Sequence, residues 1–543
     1  MPRARAHPPS SEAARLIGGE EPLRLLTQLV AIAPTNLEDP VHHRWEKPNY
    51  LRAADAIVRA ARSLGLATRV YDPTVARAGT TDWHGAPRPN VIVDLDVGAP
   101  DTVLLLAHYD VVPVPAEQLS RWKSPPHTLT YRSDGRLYGR GSNDDLGSGV
   151  VASLTALGRL VDVPALSRNV RCIVACDEET GGEGGIEAIK AHDDSLAEDD
   201  PERFLRAEVA LIPDGSPETT GGSSGVAFLD GAFDRPVPLR ETLAYGRALV
   251  GLHEVAREWK SAYLSPDWPD RHAPEPVVTG RATVTKFDLE GSALSHGRVT
   301  LVAAHAETDA ANQVARCVTF VFGGPSAEVD ELEERLRPLV PKPFRWARDG
   351  PTALATPPGT RVFQLVGEAT HGGYPHRGRN PVPAALALLS GAVERGIVDG
   401  NAPGAATFTV DLRLIPEMEL EDGLGKALTY ARSWTTAHSP HALIEAPPGR
   451  CRAGYALPVD HPATLKLERI LAGVFGAHGV RGEYGGTDAS ALREARTPRG
   501  ERLPALVFGS MDPESHIHDA EESVDPRRIQ GVVTAIEQFV REP

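Results

Sequence analysis

Residues 103–114 read VLLLAHYDVVPV. The first five are apolar without a break, the pattern of a strand covered on both faces in a parallel sheet. The run stops at His108-Tyr109-Asp110. Side chains two apart on extended backbone point the same way, so His108 and Asp110 can face one site just beyond the sheet. A neutral imidazole is a common transition-metal ligand. A carboxylate two residues on can hold the other ring nitrogen and set the tautomer. A surface histidine beside a turn aspartate would give the same triplet, so the rest of the chain has to decide.

Three further apolar runs end in the same residue types. Residues 169–175 lead into Asp177-Glu178-Glu179, and residues 208–213 lead into Asp214. Residues 504–509 lead towards His516, His518 and Glu521-Glu522. Ligands of open α/β sheets bind beyond the carboxyl ends of the strands. Four such ends are hard to attribute to solvated charge. Between the first two runs lies YGRGSNDDLGSG, residues 138–149, with glycines for a tight backbone and Asp144-Asp145 just ahead of a helical pattern. A carboxylate there can reach a cation over the sheet edge. Two histidines and several carboxylates suit a pair of divalent ions. Zinc takes N and O ligands and keeps a position open in catalytic sites. Ions roughly 3.5–4 Å apart can share one carboxylate. A carboxylate that ligates neither ion is needed as general base, and Glu178-Glu179 offers both kinds.

The 543 residues imply two or more domains. Helical spacing covers 20–33, 50–66, 147–163, 185–192 and 462–475, and strand patterns cover 90–95, 102–107, 169–175, 208–213 and 504–509. Strands 90–95 and 102–107 are expected to pair. Residues 1–19 read as a loose tail. The glycine-rich stretch after Asp214, broken by Pro217, reads as a hinge. The expected organisation is a catalytic domain of residues 1–215 and 451–543 split around an inserted domain of residues 216–450. The formal charge of −16, from 57 Lys+Arg against 73 Asp+Glu, argues against nucleic acid and anionic membrane surfaces as partners. No apolar run reaches the roughly 20 residues of a membrane span. The N-terminus lacks a signal-peptide apolar region, and the four cysteines form no CxxC pattern. A reducing cytoplasm is the expected setting.

The chain resembles the M20 metallopeptidases, a family of aminoacylases, desuccinylases, carboxypeptidases and dipeptidases. LLLAHYDVVP, LYGRGSNDDLGSG, DEETGG, LIPDG, GEATHGGYPHRGRNPV, TVDLRLIPE, GGTDAS and HIHDAEESV carry the likeness, in family order from residue 104 to 524. The resemblance implies an α/β fold: a zinc-peptidase-like three-layer α/β/α catalytic domain with an inserted α+β lid. It implies two divalent ions, zinc with cobalt or manganese as alternatives. His108 would bind one ion, with Asp110 orienting it; Asp144 would bridge both. Glu178 would be the general base and Glu179 a ligand of the second ion. Asp214 would complete the first shell, and His518, rather than His516, the second. His371 would reach the scissile carbonyl. Arg413, Asn312, Gly486 and Thr487 would contact substrate, although Arg413 also fits a strand residue paired with Asp411 on the same face. Leu146 departs from the pattern, standing where many relatives have Lys.

The implied activity is hydrolysis of an amide bond in a small peptide, a dipeptidase or aminopeptidase type of reaction. An N-acyl amino acid deacylase using the same residues is the alternative, and a non-catalytic metal-binding protein a remote one. The long insert is similar to the enlarged lid of bacterial carnosine-splitting dipeptidases and implies a monomer, with a homodimer still open. A serine hydrolase would need a nucleophile elbow between strand and helix. The only G-x-S-x-G, residues 221–225, follows PDGSPETT, which has no strand pattern. His42-His43, adjacent in a polar loop, suit one metal poorly.

Overall fold

The computed structural model describes residues 11–35, 49–76, 87–114, 116–198, 200–266, 277–296, 299–308, 313–350, 352, 354, 356–372, 374–447 and 450–542. Two compact units divide the chain. The first comprises Met1–Gly221, Leu457–Arg481 and Thr487–Pro543; the second comprises Gly222–Ala456 and Gly482–Gly486.

The first unit is built on strands β1 (Ala67–Tyr71), β2 (Asn90–Leu95), β3 (Asp101–His108), β4 (Arg168–Ala175), β5 (Val209–Ile212) and β6 (Ala505–Val507). Their order in the sheet is β1-β2-β4-β3-β5-β6. Strands β4, β3, β5 and β6 run parallel, so their carboxyl ends share one edge. Leu104, Leu105 and Leu106 of β3 are fully buried, as an apolar strand at the middle of a parallel sheet must be. Helices pack on this sheet in the three-layer α/β/α arrangement. Among them are α1 (Glu20–Ile32), α2 (Tyr50–Ser63), α3 (Ala152–Leu160), α4 (Ile186–Asp194), α5 (Pro462–Phe475) and α6 (Pro526–Arg541).

Four details differ from the sequence expectation. β2 does not pair with β3. It runs antiparallel to β4, which lies between them and satisfies the backbone of both neighbours. The short link at 96–100 can span that gap, since two strand spacings are only about 10 Å. Residues 11–17, expected in a loose tail, form a helix with Ala13, Ala14 and Ile17 buried, because its apolar side covers the core; residues 1–10 lie outside the described residues. The expected hinge contains a strand, Thr219–Ser223, in which glycine and small residues are wholly buried. The helix expected from 147 begins as a wide turn, Leu146–Val151, with Val150 N–H donating to Asp145 O at 3.0 Å, five residues back. Glycine permits this: a Cβ at Gly149 would lie 1.8 Å from Asp145 Oδ2.

The second unit is α+β. An antiparallel sheet runs in the order Arg345–Arg348, Thr360–Val366, Cys317–Gly323, Val299–Glu307, Arg281–His296, Pro403–Arg413, Val226–Phe233, Ala442–Glu445. Helices Leu239–Arg257, Pro381–Glu394 and Leu420–His438 bury their apolar stripes with it in one core around Phe287, Phe408 and Leu386. No helix among the described residues is long and apolar enough to cross a membrane.

Candidate metal centre

The last residue of β3 is His108, 1% exposed. Its Nδ1–H donates to the backbone carbonyl of Asp110 at 3.1 Å and lies 3.4 Å from the Asp110 carboxylate. In the neutral imidazole that bond puts the lone pair on Nε2, facing the site. Nε2 is 3.4 Å from Asp144 Oδ1 and 3.7 Å from Asp214 Oδ2, yet among the described residues it has no hydrogen-bond partner. Asp214 Oδ1, just beyond β5, is likewise buried without one. Neighbouring buried polar atoms left this way cost free energy unless a charge satisfies them.

The turn after β4 brings the acidic pair in. Asp177 adopts the left-handed region at φ 62° and starts the short helical turn Glu178–Thr180. Arg88 Nε donates to Asp177 Oδ2 at 2.6 Å, and both side chains are buried. Burial pushes the Asp177 carboxyl up to about 6, with Arg88 opposing the rise. Asp110 then accepts the backbone N–H of Glu178 at 3.0 Å and of Glu179 at 3.1 Å. Farther along the chain, His518 Nε2 lies 2.9 Å from Asp144 Oδ2 and 3.0 Å from Glu179 Oε2. His518 is held at φ 62°, a conformation that costs a non-glycine residue about 1–3 kcal/mol and recurs at functional sites.

The sequence-derived cluster is thereby brought together: His108, Asp110, Asp144, Glu178, Glu179, Asp214 and His518 converge at the carboxyl edge of the parallel strands. Ligand atoms of His108, Asp144 and Glu179 all lie within 4.8 Å of one another, and so do those of His108, Asp145 and Asp214. Asp145 was not singled out. Its carboxylate is fully buried and accepts the backbone N–H of His108 at 3.2 Å; the doubled Asp144-Asp145 was the available signal. His516, the residue not preferred, is exposed, and so in part is His518, but it is His518 that reaches Asp144 and Glu179.

Charge crowding shapes the protonation of the cluster. Burial raises the Glu178 carboxyl well above its ordinary range, and Asp488, Glu179 and Asp214 add to it against the pull of His108. Burial raises Glu179 and Asp214 too. Burial opposes charge on His108, but Asp110, Asp144 and Asp214 outweigh it and hold the imidazole well above its usual pKa. His518 is raised the same way by Glu179 and Asp144. Asp144, between the two imidazoles, is lowered despite its burial. Imidazole nitrogens interleaved with carboxylate oxygens are a donor set for divalent cations.

Arg413 is 2% exposed. Its Nε and Nη2 donate to Asp411 Oδ1 and Oδ2 at 2.6 and 2.8 Å, and its Nη1 donates to Tyr484 O at 3.0 Å. Asp411 thus occupies the guanidinium fork that would suit a substrate carboxylate. Thr487 is buried, and its hydroxyl has no hydrogen-bond partner. Gly486 ends the short segment that groups with the second unit. The backbone of His371 pairs with Gln313. The His371 side chain, Asn312 and the His42-His43 pair lie outside the described residues.

Comparison with known proteins gives the chain its relatives. A cysteinylglycine-S-conjugate dipeptidase of Corynebacterium striatum is 25% identical over 464 residues, 82% of this chain and 81% of that protein. An uncharacterized metallohydrolase of Methanocaldococcus jannaschii is 27% identical over 196 residues, 36% of this chain. The chain spans only 44% of that relative's length. Among solved structures, the di-peptidase Dug1p from Saccharomyces cerevisiae shares the fold with a TM-score of 0.56 at 13% identity, over 98% of both chains. The family description Peptidase family M20/M25/M40 matches residues 104–542, from the strand that carries His108 to the last helix, and the chain belongs to that family.

Proposed function

We propose that this metallohydrolase is a dipeptidase that cleaves the amide bond of a small dipeptide, with two zinc ions that cobalt or manganese can replace. The observation that carries the reading is a carboxylate left over. His108 belongs to two groups of close ligand atoms, one with Asp144 and Glu179 and one with Asp145 and Asp214, and Glu178, in neither, has its backbone pinned by Asp110. His108, Asp144 and Asp214 would hold one ion; Asp144, Glu179 and His518 would hold the other. The buried, unpartnered His108 Nε2 and Asp214 Oδ1 fit that use. Divalent ions supply Lewis-acid polarisation of a carbonyl and acidify water.

The chain's own groups do the rest. Asp110 keeps the proton of His108 on Nδ1 and Nε2 free to ligate. Glu178 takes a proton from the water that adds to the carbonyl carbon, then passes it to the leaving nitrogen as the C–N bond breaks. The dipeptide preference is supported by the relative matched over four fifths of its length, which is named a dipeptidase. The reading also takes the protein as a cytoplasmic monomer, since its four cysteines are unpaired and its insert is long. The test is a panel of dipeptides, S-substituted cysteinylglycine and N-acyl amino acids, assayed with the zinc- or cobalt-loaded enzyme. Turnover of dipeptides at least tenfold above N-acyl amino acids is expected; the reverse order would make it a deacylase.

A further inference from the structure

Glu522 lies four residues after His518 and is 1% exposed. Its carboxylate takes four donors. Oε2 accepts from Arg140 Nη1 at 2.7 Å and from Gly141 N at 3.0 Å. Oε1 accepts from Asn143 N at 3.2 Å and from Asp144 N at 3.3 Å. An ionised carboxylate has about four lone-pair sites, so this one is saturated, and by one stretch of chain. Arg140 has a second task. Its Nη2 donates to Gln118 Oε1 at 3.3 Å, and Gln118 Nε2 donates to the carbonyl of His518 at 3.4 Å. The neighbouring Glu521, at φ 68°, turns the other way to Arg132 and to Lys123 N, fastening the same turn from outside.

We propose that Glu522, with Arg140 and Gln118, is the positioning device that sets the distance between Asp144 and His518. The carboxylate grips the backbone of Asp144 directly and reaches the backbone of His518 through Arg140 and Gln118. His518 keeps its left-handed conformation because these bonds over-determine it. One ion pair thus spaces the two residues that would share the second ion, 2.9 Å apart in this structure, although neither Glu522 nor Arg140 is a ligand. The inference rests on the ion assignment above and goes beyond it.

The experiment measures ion binding by the full chain, by zinc titration against a chelator and by elemental analysis. Outer partners of ligands are worth roughly 10–100-fold in metal affinity. Gln118→Ala should weaken the second binding step by at least about tenfold and leave the first within about threefold, while Glu522→Gln, which also loosens the shared Asp144, should weaken the second step at least as much. kcat should fall with the second site while KM holds. Gln118 is only partly buried, so its variant stays folded and decides the matter if Glu522→Gln does not fold. Both variants binding two ions with wild-type affinity would overturn the proposal. His518→Ala is the control. If it too keeps both ions, the ion assignment fails; if it loses one while the positioning variants do not, only the positioning role fails.

Discussion

Asp110 Oδ1 accepts the backbone N–H of Glu178 at 3.0 Å. Through that bond, the residue that holds the Nδ1 side of His108 also fixes the turn that carries Glu178. The other oxygen takes Glu179 N–H, so one buried carboxylate aligns His108 on β3 with Glu178 and Glu179 on the turn after β4. A shift of either strand end would move all three together.

Glu178→Ala should keep its ions and lose turnover by about 10²–10⁴-fold, the usual worth of a general base. Elemental analysis and kcat on one preparation check this. Loss of an ion would make Glu178 a ligand instead.

His518→Ala should bind less metal, because His518 Nε2 faces both Asp144 and Glu179. His516→Ala should bind as much as the unaltered protein, since among the described residues His516, unlike His518, makes no ion pair with a carboxylate of the cluster. Equal losses in the two variants would contradict the geometry.

Ion binding should release protons. Without ions, His108 and His518 are held above their usual pKa by the surrounding carboxylates, so they carry protons at neutral pH. Each must lose one before its Nε2 can ligate. The sign follows: affinity rises with pH through the neutral range and falls in acid. Calorimetry at pH 7 in buffers of different ionisation heat should show about one or more protons released per chain; proton uptake would reject the scheme.

Arg413→Ala should act chiefly on stability. It breaks a buried ion pair and strands the Asp411 carboxylate, which costs about 3–5 kcal/mol and is measurable by urea unfolding. Amidating the substrate's C-terminus should weaken binding equally in variant and unaltered enzyme. If the amide effect vanishes in the variant, Arg413 does hold the substrate carboxylate.

Much of the centre was legible in the sequence because its signals are local. A strand's two-residue period puts His108 and Asp110 on one side, and an apolar run shows where a buried strand stops. Parallel strands bring such stops to one edge, so Asp177-Glu178-Glu179 and Asp214 could be expected beside them. The choice of His518 over His516 came from the motif around it, and the structure puts His518 against Asp144 and Glu179.

The residue pattern therefore carried the kind of chemistry, the α/β class and most of the residues that meet. Which partner each of them faces was settled by packing. β4 separates β2 from β3 because it is flanked by both, one parallel and one antiparallel, and nothing in either short segment announces that. The fork of Arg413 is filled by Asp411, the plainer of two possibilities the strand pattern allowed. Arg140 and Glu522 are 382 residues apart and read as surface charge, until burial makes each the other's counter-ion. Hydrogen-bond partners and dielectric surroundings are properties of the packed chain, and a charged residue's neighbours in sequence do not specify them.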